Sequence, residues 1–317
     1  MDMKTGAFIV PTGIGASIGG FAGDASSWAR KFSKKCRLIV NPNVVNAACF
    51  SGITDNMLYV EGYSLDEFFK GKINLLPTYG NKIGVVFDKS ISQRVLNVHI
   101  NTINAVKTVY GIDIIGYEIT KNDVGVNFYV DNSGVSMGDV NDLDTIKEAS
   151  EKLIQKGAEA IAIVCRFPED EGDDYANGIG VDPVGGVEAI ISHYISKELK
   201  VPCAHAPAFE NIEISTEIVD SRASAEYITP TFLPCILIGL NQGAGICSDE
   251  NGLSVKDIDF IILPYDSVGC IPAFEMSKLN KKIYAVKENK TVLDVTPEKL
   301  GIKCDIINSY EELLELI

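Results

Sequence analysis

Short runs of apolar, mostly β-branched residues alternate along the chain with amphipathic stretches. Strands are predicted at 6–10, 37–40, 56–60, 82–88 and 158–167, with helices between them at 21–35, 92–111 and 142–157. Alternation of strand and helix favours a mainly parallel sheet. The sequence therefore predicts an α/β fold of two Rossmann-like lobes, at residues 1–135 and 136–317, with mainly parallel sheets and an interlobe cleft.

Two local features refine this outline. Segments 112–120 and 124–130 look like two further strands, paired as a hairpin. A helix at 182–199 has a well-marked start, because Asp182 suits the N-cap and Pro183 the first helical position. Gly111 is the expected stop of the helix before the hairpin.

Charge and hydropathy exclude several classes of protein. The 317 residues carry a formal net charge of −15, which argues against a nucleic-acid partner because phosphate binding depends on Lys and Arg. No apolar run approaches the roughly 20 residues that span a bilayer, and the N-terminus lacks the pattern of a signal peptide. We therefore expect a cytoplasmic protein with no membrane partner.

Three loops share one pattern in which a buried strand ends, glycine follows and a helix begins. They lie at 11–20, 178–186 and 266–270. Loops at the carboxyl ends of parallel strands are where ligands bind, so we expect the three to meet in one cleft. The candidate ligand-binding residues in these loops are Thr12, Gly13, Gly15, Ser17, Gly19, Gly20, Gly185, Gly186, Asp266, Gly269 and Cys270.

The first loop does not match the known phosphate-binding motifs. Gly13 and Gly15 fit the dinucleotide motif G-x-G-x-x-G, but Ile18 stands where the third glycine belongs. Phe21 stands at the lysine position of the Walker motif, and Asn41 lies where a ribose-binding acid is expected. Ordinary NAD binding in the first lobe is therefore excluded. Two interpretations stay open: backbone N–H groups that bind an anion, and glycines that only permit close packing.

Cys203 and His205 are the candidate catalytic pair. They stand two positions apart at the end of a predicted strand, so both side chains point to the same side, where an imidazole could activate a thiol. The alternative is a half-buried cysteine beside a histidine that binds a backbone carbonyl. Asp182 is a candidate general base, although an N-cap role would also explain it.

Arginines and cysteines complete the candidates. Arg166 and Arg222 could bind a substrate carboxylate, or form surface salt bridges instead. The eight cysteines are scattered without a C-x-x-C pair, which is typical of buried small hydrophobic residues. No metal or cofactor is predicted, and a divalent metal or a nucleotide stays open.

Several blocks occur in the same order along the chain as in a known family. They include "IVPTGIGASIGGFAGDA", "PNVVNAA", "GAEAIAIVCRFP", "GVDPVGGVEAIISH", "TFLPCILIGL" and "YAVKENKTVLDVTPEKLG". On these blocks the chain resembles an uncharacterised family of bacteria and plant plastids, known only as a domain of unknown function (DUF3326), from about residue 7 to 300. The resemblance implies a single unit without added modules and brings no activity.

The short "PCAHA" (202–206) also resembles the cysteine strand ends of cofactor-independent amino-acid racemases. This resemblance implies Cys235 or Cys270 as a second cysteine.

Three functions are compatible with these residues. The leading one is an enzyme that acts on a small anionic carboxylate or amide metabolite by Cys/His proton-transfer or nucleophilic chemistry, of isomerase, racemase, lyase or hydrolase type. The second is a nucleotide-dependent transferase, with its ligand between the loop at 266–270 and Glu288. The third is a non-catalytic metabolite-binding protein. Assembly into a homo-oligomer stays open.

Overall fold

Two parallel sheets organise the chain. The computed structural model describes residues 3–169, 174–247 and 251–317. The strands of the described residues are β1 (Thr5–Phe8), β2 (Arg37–Val40), β3 (Asn46–Ala47), β4 (Phe50–Ser51), β5 (Met57–Tyr59), β6 (Asn74–Leu76), β7 (Ile83–Phe87), β8 (Ile114–Ile119), β9 (Val126–Val130), β10 (Ser136–Val140), β11 (Ala160–Arg166), β12 (Cys203–Ala208), β13 (Gly245–Cys247), β14 (Phe260–Pro264), β15 (Lys282–Val286) and β16 (Asp305–Ile307). Their α-helices are α1 (Ser26–Phe32), α2 (Pro42–Val45), α3 (Gly62–Phe69), α4 (Gln93–Tyr110), α5 (Leu143–Gln155), α6 (Gly185–Leu199), α7 (Ser224–Tyr227), α8 (Leu233–Asn241), α9 (Ile271–Lys278), α10 (Pro297–Leu300) and α11 (Tyr310–Leu316).

Both main sheets are parallel throughout, which confirms the predicted α/β class. The larger has six strands in the order β16-β15-β14-β1-β2-β5, and the smaller has four in the order β12-β11-β7-β8. The pairs β10–β9, β13–β6 and β3–β4 are small antiparallel ribbons. The predicted hairpin is wrong, because β8 pairs with β7 and β9 pairs with β10.

The predicted boundary between residues 135 and 136 does not separate two lobes. Strands β1, β2 and β5 share a sheet with β14, β15 and β16 from the far end of the chain, while β7 and β8 pair with β11 and β12 across the boundary. Main-chain hydrogen bonds therefore join the two halves of the sequence in both sheets. The two Rossmann-like lobes are not confirmed.

A shared core fills the space between the sheets. Phe8 and Val40 of the larger sheet belong to the same buried cluster as Val85 and Val164 of the smaller one. Helix α8, which is apolar on nearly all sides and includes buried Leu237, belongs to this cluster and contacts β11 and β12. Because α8 packs on both sides, the stretch 231–240 has no amphipathic pattern.

Two outer cores cover the opposite faces of the sheets. One packs residues such as Ile39 and Ile261 of the larger sheet against α3 and α9. The other packs Ile161 and Ile163 of the smaller sheet against α5 and α6. None of the helices in the described ranges combines the length and the apolar character needed to cross a bilayer.

Helix ends test two local predictions. Gly111 ends α4 with a φ of 69°, the left-handed conformation that a glycine stop requires. Helix α6 starts at Gly185 with Val184 as its N-cap residue, so both positions lie two residues later than predicted. Asp182 instead accepts a hydrogen bond from the backbone N–H of Val184 at 3.0 Å.

Candidate active site

A cavity of about 690 Å³ is lined by residues of both parallel sheets and of the loops that follow their strands. Its walls come from the segments that follow β1, β2 and β5 of the larger sheet, from edge strand β12 of the smaller sheet, and from α6, α7 and the start of α8. The polar lining residues on which the site depends are Thr12, Asn41, Asn43, Asn46, Tyr59, Glu61, Glu169, Tyr175, Asp182, Glu188, Ser192, His193, His205, Glu213, Glu217, Glu226, Tyr227 and Thr229.

Glu188 and His205 form the central pair of this wall. Glu188 lies in the first turn of α6 and His205 in the middle of β12, and His205 Nδ1 is 3.2 Å from Glu188 Oε1. The His205 ring also stacks on Phe167, with ring centroids 5.1 Å apart. Packing of α6 against β12 therefore brings together two residues that are 17 positions apart in sequence.

A second hydrogen bond sets the protonation of the imidazole. The backbone N–H of Cys165 donates to His205 Nε2 at 3.3 Å, so the ring proton is on Nδ1 and donates to Glu188 Oε1. Burial lowers the pKa of His205 to about 3, and the ring is neutral at physiological pH. His205 thus holds one oxygen of Glu188 and keeps its own proton.

Burial also shifts the protonation of the Glu188 carboxyl. It raises the pKa of this carboxyl from 4.5 to about 8. Since Oε1 accepts from His205, the proton of the neutral carboxyl is on Oε2. At neutral pH Glu188 can therefore give up a proton, and the carboxylate that remains keeps the His205 N–H as its donor.

Other carboxyl groups surround this pair. Burial raises the pKa of Glu226 well above its usual range, and the negative charge of Asp182 adds to the effect. Glu61, at the end of β5, has a pKa raised by burial, and its carboxylate accepts from the backbone N–H groups of Tyr63 and Ser64 at the start of α3. Glu61 therefore already has a structural role as a helix cap.

Two buried polar atoms in the lining have no hydrogen-bond partner among the described residues. They are Asn46 Oδ1 and the Tyr175 hydroxyl oxygen. Asn46 uses its amide nitrogen to donate to the Tyr59 hydroxyl at 3.0 Å, which leaves its oxygen available. Buried polar atoms are nearly always paired, so these two indicate contacts that a bound molecule would complete.

The predicted glycine loop contributes only part of its length to the cavity. Thr12 and Gly20 line it. The other candidates hold the loop in place: Ser17 Oγ accepts from the N–H of Lys290 at 2.8 Å, and Gly13, Gly15 and Gly19 adopt positive φ values of 72°, 56° and 89°. These conformations favour glycine and support the structural interpretation of the loop.

Backbone donors of the loop are bound to other parts of the protein. Asn289 Oδ1 accepts from the N–H of Ile18 at 2.9 Å, and Asp24 Oδ1 accepts from the N–H groups of Gly19 at 2.6 Å and Phe21 at 3.4 Å. Burial raises the pKa of Asp24 to about 6. A carboxyl group of the chain itself therefore lies where an external anion was expected.

The second loop reaches the cavity and the third does not. Asp182 and Gly185 line the cavity, whereas the N–H of Gly186 donates to Ser136 Oγ at 2.9 Å. In the third loop, Asp266 accepts from the Thr291 hydroxyl at 2.8 Å. Gly269, Cys270 and Glu288 also lie outside the lining, and Glu288 accepts a hydrogen bond from the N–H of Tyr310. The prediction that all three loops share one cleft is therefore wrong for 266–270.

The two predicted arginines also lie outside the cavity lining. Arg166 is exposed at the end of β11. Arg222 pairs with Asp220 at 3.0 Å, donates to the Gly178 carbonyl at 2.8 Å and lies over the ring of Phe21. Arg222 thus joins two loops at the rim of the site.

Cys203 is separated from the cavity that His205 lines. Its side chain is fully buried in the outer core between β12 and α6, and burial raises the pKa of its thiol well above the usual range. Of the proposed second cysteines, Cys270 lies outside the cavity, and Cys235 lines it with its thiol donating to the Phe232 carbonyl at 3.2 Å. Burial raises the pKa of Cys235 to about 12, which disfavours a thiolate.

The sequence contains a signal for Glu188 that the predictions missed. Glu188, Ile191, Ser192 and Ile195 form one stripe of α6, so an acid stands on an otherwise buried helix face. Glu226 lies in an irregular segment and has no comparable signal. Within the described residues, no group of three or more His, Cys, Asp or Glu side chains is arranged to hold a metal ion.

Fold and cavity together define an α/β protein with a carboxyl-rich internal site. The profile of a family described as "Protein of unknown function (DUF3326)" matches residues 5–317, and the chain belongs to this family, as its sequence indicated. An "Uncharacterized lipoprotein" of Synechococcus sp. (strain ATCC 27144 / PCC 6301 / SAUG 1402/1) is 37% identical, over 97% of this chain and 88% of its own. No solved structure matches the chain.

This relative overturns the predicted location. A protein so similar over nearly its whole length is described as a lipoprotein, and lipoproteins are attached to membranes by their acyl chains. The prediction of a cytoplasmic protein is therefore wrong.

Proposed function

We propose that the cavity is the active site of an enzyme that binds a small polar metabolite and transfers a proton through Glu188. The observation that carries the proposal is the half-buried Glu188 carboxyl, held by His205 at 3.2 Å in the wall of a cavity of about 690 Å³. Cavities of a few hundred Å³ with a few placed polar groups are typical of small-molecule sites. The proposal keeps proton-transfer chemistry and His205 from the sequence hypothesis, and replaces Cys203 by Glu188.

Each residue of the pair has a distinct role. Glu188, with a pKa raised by burial to about 8, has nearly balanced acid and base forms close to physiological pH, as general acid–base catalysis requires. The Oε2 atom gives its proton to a substrate oxygen, nitrogen or carbon, and the resulting carboxylate takes it back in the reverse step. His205 is a positioning residue, because both of its ring nitrogens are already hydrogen-bonded to the protein.

Contacts elsewhere in the cavity would orient the substrate. Asn46 Oδ1, which has no hydrogen-bond partner among the described residues, can bind it, and so can the Tyr175 hydroxyl beside Glu226. A nucleotide-dependent transferase is less well supported, because the loop at 266–270 and Glu288 lie outside the cavity. The description of the Synechococcus relative supports a membrane-attached location for this chain, with the cavity-bearing domain held at the surface.

The test is turnover of a metabolite extract followed by mass spectrometry. We expect at least one compound to change with the wild-type protein, and Glu188→Gln to slow that change by about 10²- to 10⁴-fold. Glu198→Gln is the matched control, because Glu198 lies on the same helix and pairs at its surface with Lys147. If Glu188→Gln turned the compound over at the wild-type rate, the role of Glu188 would be refuted. An extract unchanged by any of the three proteins would refute the enzyme and leave a binding protein.

A further inference from the structure

The charged side chains that line the cavity in the described part of the chain are acidic, and Arg222 at the rim is paired with Asp220. The acidic side chains in its lining are Glu61, Glu169, Asp182, Glu188, Glu213, Glu217 and Glu226. No Lys or Arg accompanies them in the part of the lining that the structure describes. The formal net charge of −15 adds a field of the same sign. An anionic ligand would therefore enter against the local charges and against the charge of the whole chain.

The hydrogen-bonding atoms available in the lining also favour a cationic ligand, because they are acceptors. Asn46 Oδ1 can only accept hydrogen bonds, and the Tyr175 hydroxyl oxygen can accept one as well. The Tyr175 hydroxyl interacts with the Glu226 carboxyl and affects the pKa of both groups, and its oxygen accepts no hydrogen bond from the described residues. A ligand rich in N–H donors would satisfy these atoms together with the carboxyl oxygens.

Glu226 has no cationic partner in the described part of the chain. It forms no ion pair with Lys or Arg, although it is half-buried and lies near Asp182. Carboxyl groups placed near each other out of water repel when ionised, so they stay protonated, as the raised pKa of Glu226 indicates, unless a cation compensates their charge. Tyr59, Phe209 and Phe232 also line the cavity, and aromatic rings attract cations.

We infer that the cavity takes a positively charged, amine-bearing metabolite, with its ammonium group at the carboxyl groups of Asp182 and Glu226. The inference rests on the proposed function in that it assigns a substrate class to the same site. It corrects the sequence hypothesis of an anionic substrate, whose expected binding groups at the glycine loop are occupied by Asp24 and Asn289.

Matched sets of small molecules test the charge preference. The first set is 1,4-diaminobutane, 1,4-butanediol and succinate, and the second is benzylamine, benzyl alcohol and benzoate. Within each set the carbon skeleton is similar and the charge changes from positive to neutral to negative. Isothermal titration calorimetry of the purified wild-type protein should give tighter binding of an amine, by at least tenfold, than of its neutral and anionic counterparts. Preference for an anion or an alcohol, or no binding of either amine, would overturn the inference.

Two variants locate the ammonium group. Glu226→Gln keeps the shape of the side chain and should weaken amine binding by at least tenfold. Asp182→Asn keeps an oxygen that can accept from the N–H of Val184, and provides the same test if Glu226→Gln fails to fold. Glu198→Gln removes an exposed carboxylate that lies outside the cavity lining and pairs with Lys147, and it is the control. Equal weakening by the control would show only a general field effect and would overturn the assigned position.

Failure of this inference and failure of the proposed function give different results. Turnover of an anionic metabolite that depends on Glu188 would refute the amine class and keep the proton-transfer site. Amine binding lost in Glu226→Gln, without turnover of any compound, would keep the amine class and refute the enzyme.

Discussion

His205 donates a hydrogen bond from Nδ1 to Oε1 of Glu188 at 3.2 Å, while the N–H of Cys165 donates to the opposite ring nitrogen. A backbone donor on a neighbouring strand thereby decides which tautomer of the histidine faces the acid. The acid can change its protonation while the histidine stays neutral.

The first prediction is that Glu188 makes folding stability depend on pH. Its pKa is about 8 in the folded protein against 4.5 in the unfolded chain, so the folded state binds a proton that the unfolded state releases. Its contribution is therefore fully present below pH 4.5 and is lost as the pH rises to 8, at about 1.4 kcal/mol per pH unit.

Urea unfolding of wild type and Glu188→Gln at several pH values measures this contribution. The measured quantity is the free energy of unfolding of the wild type minus that of Glu188→Gln. This difference should fall steadily between pH 5 and pH 8, because the pKa of Glu188 is 4.5 in the unfolded chain and about 8 in the folded protein. His205 acts in the opposite sense between pH 6.5 and about 3, because there the unfolded chain binds the proton, and this effect is present in both proteins. A difference that is constant with pH would contradict the raised pKa.

The second prediction separates two buried histidines. His205→Phe keeps an aromatic ring against Phe167 but leaves the buried N–H of Cys165 without an acceptor, which should lower the free energy of unfolding by about 1–3 kcal/mol. His99→Phe is the matched control. The Nε2 atom of His99 is buried without a hydrogen-bond partner among the described residues, and the ring lies against Phe87, so its loss should cost less. Equal losses in urea unfolding would show that only ring size matters at both positions.

The third prediction concerns the thiol that the sequence placed beside the histidine. Cys203 is fully buried in the outer core, and burial raises the pKa of its thiol. In the native protein it should therefore resist alkylation by iodoacetamide at pH 8. An exposed thiol, with a pKa of about 8.5, is partly ionised at this pH and reacts. Peptide mass spectrometry of native and urea-unfolded protein measures the labelling. Cys203→Ala should lower stability by about 1 kcal/mol and leave turnover unchanged. Rapid native labelling at this position, or lost turnover in a folded Cys203→Ala, would restore the thiol as a candidate nucleophile.

Parts of the fold were accessible from sequence because their signals are local. The run at Ala160–Arg166 is apolar because β11 is buried on both faces, and Gly111 marks a helix end through its own backbone conformation. Pairing between strands is not local: β8 and β9 follow each other in sequence, yet each joins a different partner. The hairpin prediction failed for this reason, and the 135/136 boundary failed because β1 pairs with β14 from the far end of the chain.

Only part of the site could be predicted from the sequence, because its chemistry depends on which side chains the fold buries together. His205 could be chosen from its position at a strand end, but nothing near it in sequence shows that Glu188 is its partner. A glycine-rich loop has the same sequence pattern whether its N–H groups bind an external anion or a carboxyl group of the same chain. Here they bind the carboxyl group of Asp24. The raised pKa values of Glu188 and Glu226 depend on contacts from distant segments, which spacing along the chain cannot provide.

The last prediction concerns how α6 presents Glu188. The helix begins with Gly185 and Gly186, and a Cβ atom at Gly186 would lie 2.2 Å from the carbonyl oxygen of Ser136. Because that neighbour is backbone, Gly186→Ala should force α6 away from β10 and lower the free energy of unfolding by about 1–3 kcal/mol, although alanine favours helix by about 1 kcal/mol.

Gly185→Ala is the adjacent control for this change. The nearest atom to its Cβ would be the Thr12 methyl carbon at 2.9 Å, which is a side-chain atom and not backbone. We therefore expect Gly185→Ala to lose less stability than Gly186→Ala in urea unfolding. Displacement of α6 in Gly186→Ala should also move Glu188 relative to His205 and lower the pKa of Glu188 as water enters, which NMR of carboxyl-labelled glutamate can follow. If the two variants were equally stable, close contact between α6 and β10 would not be what positions the acid.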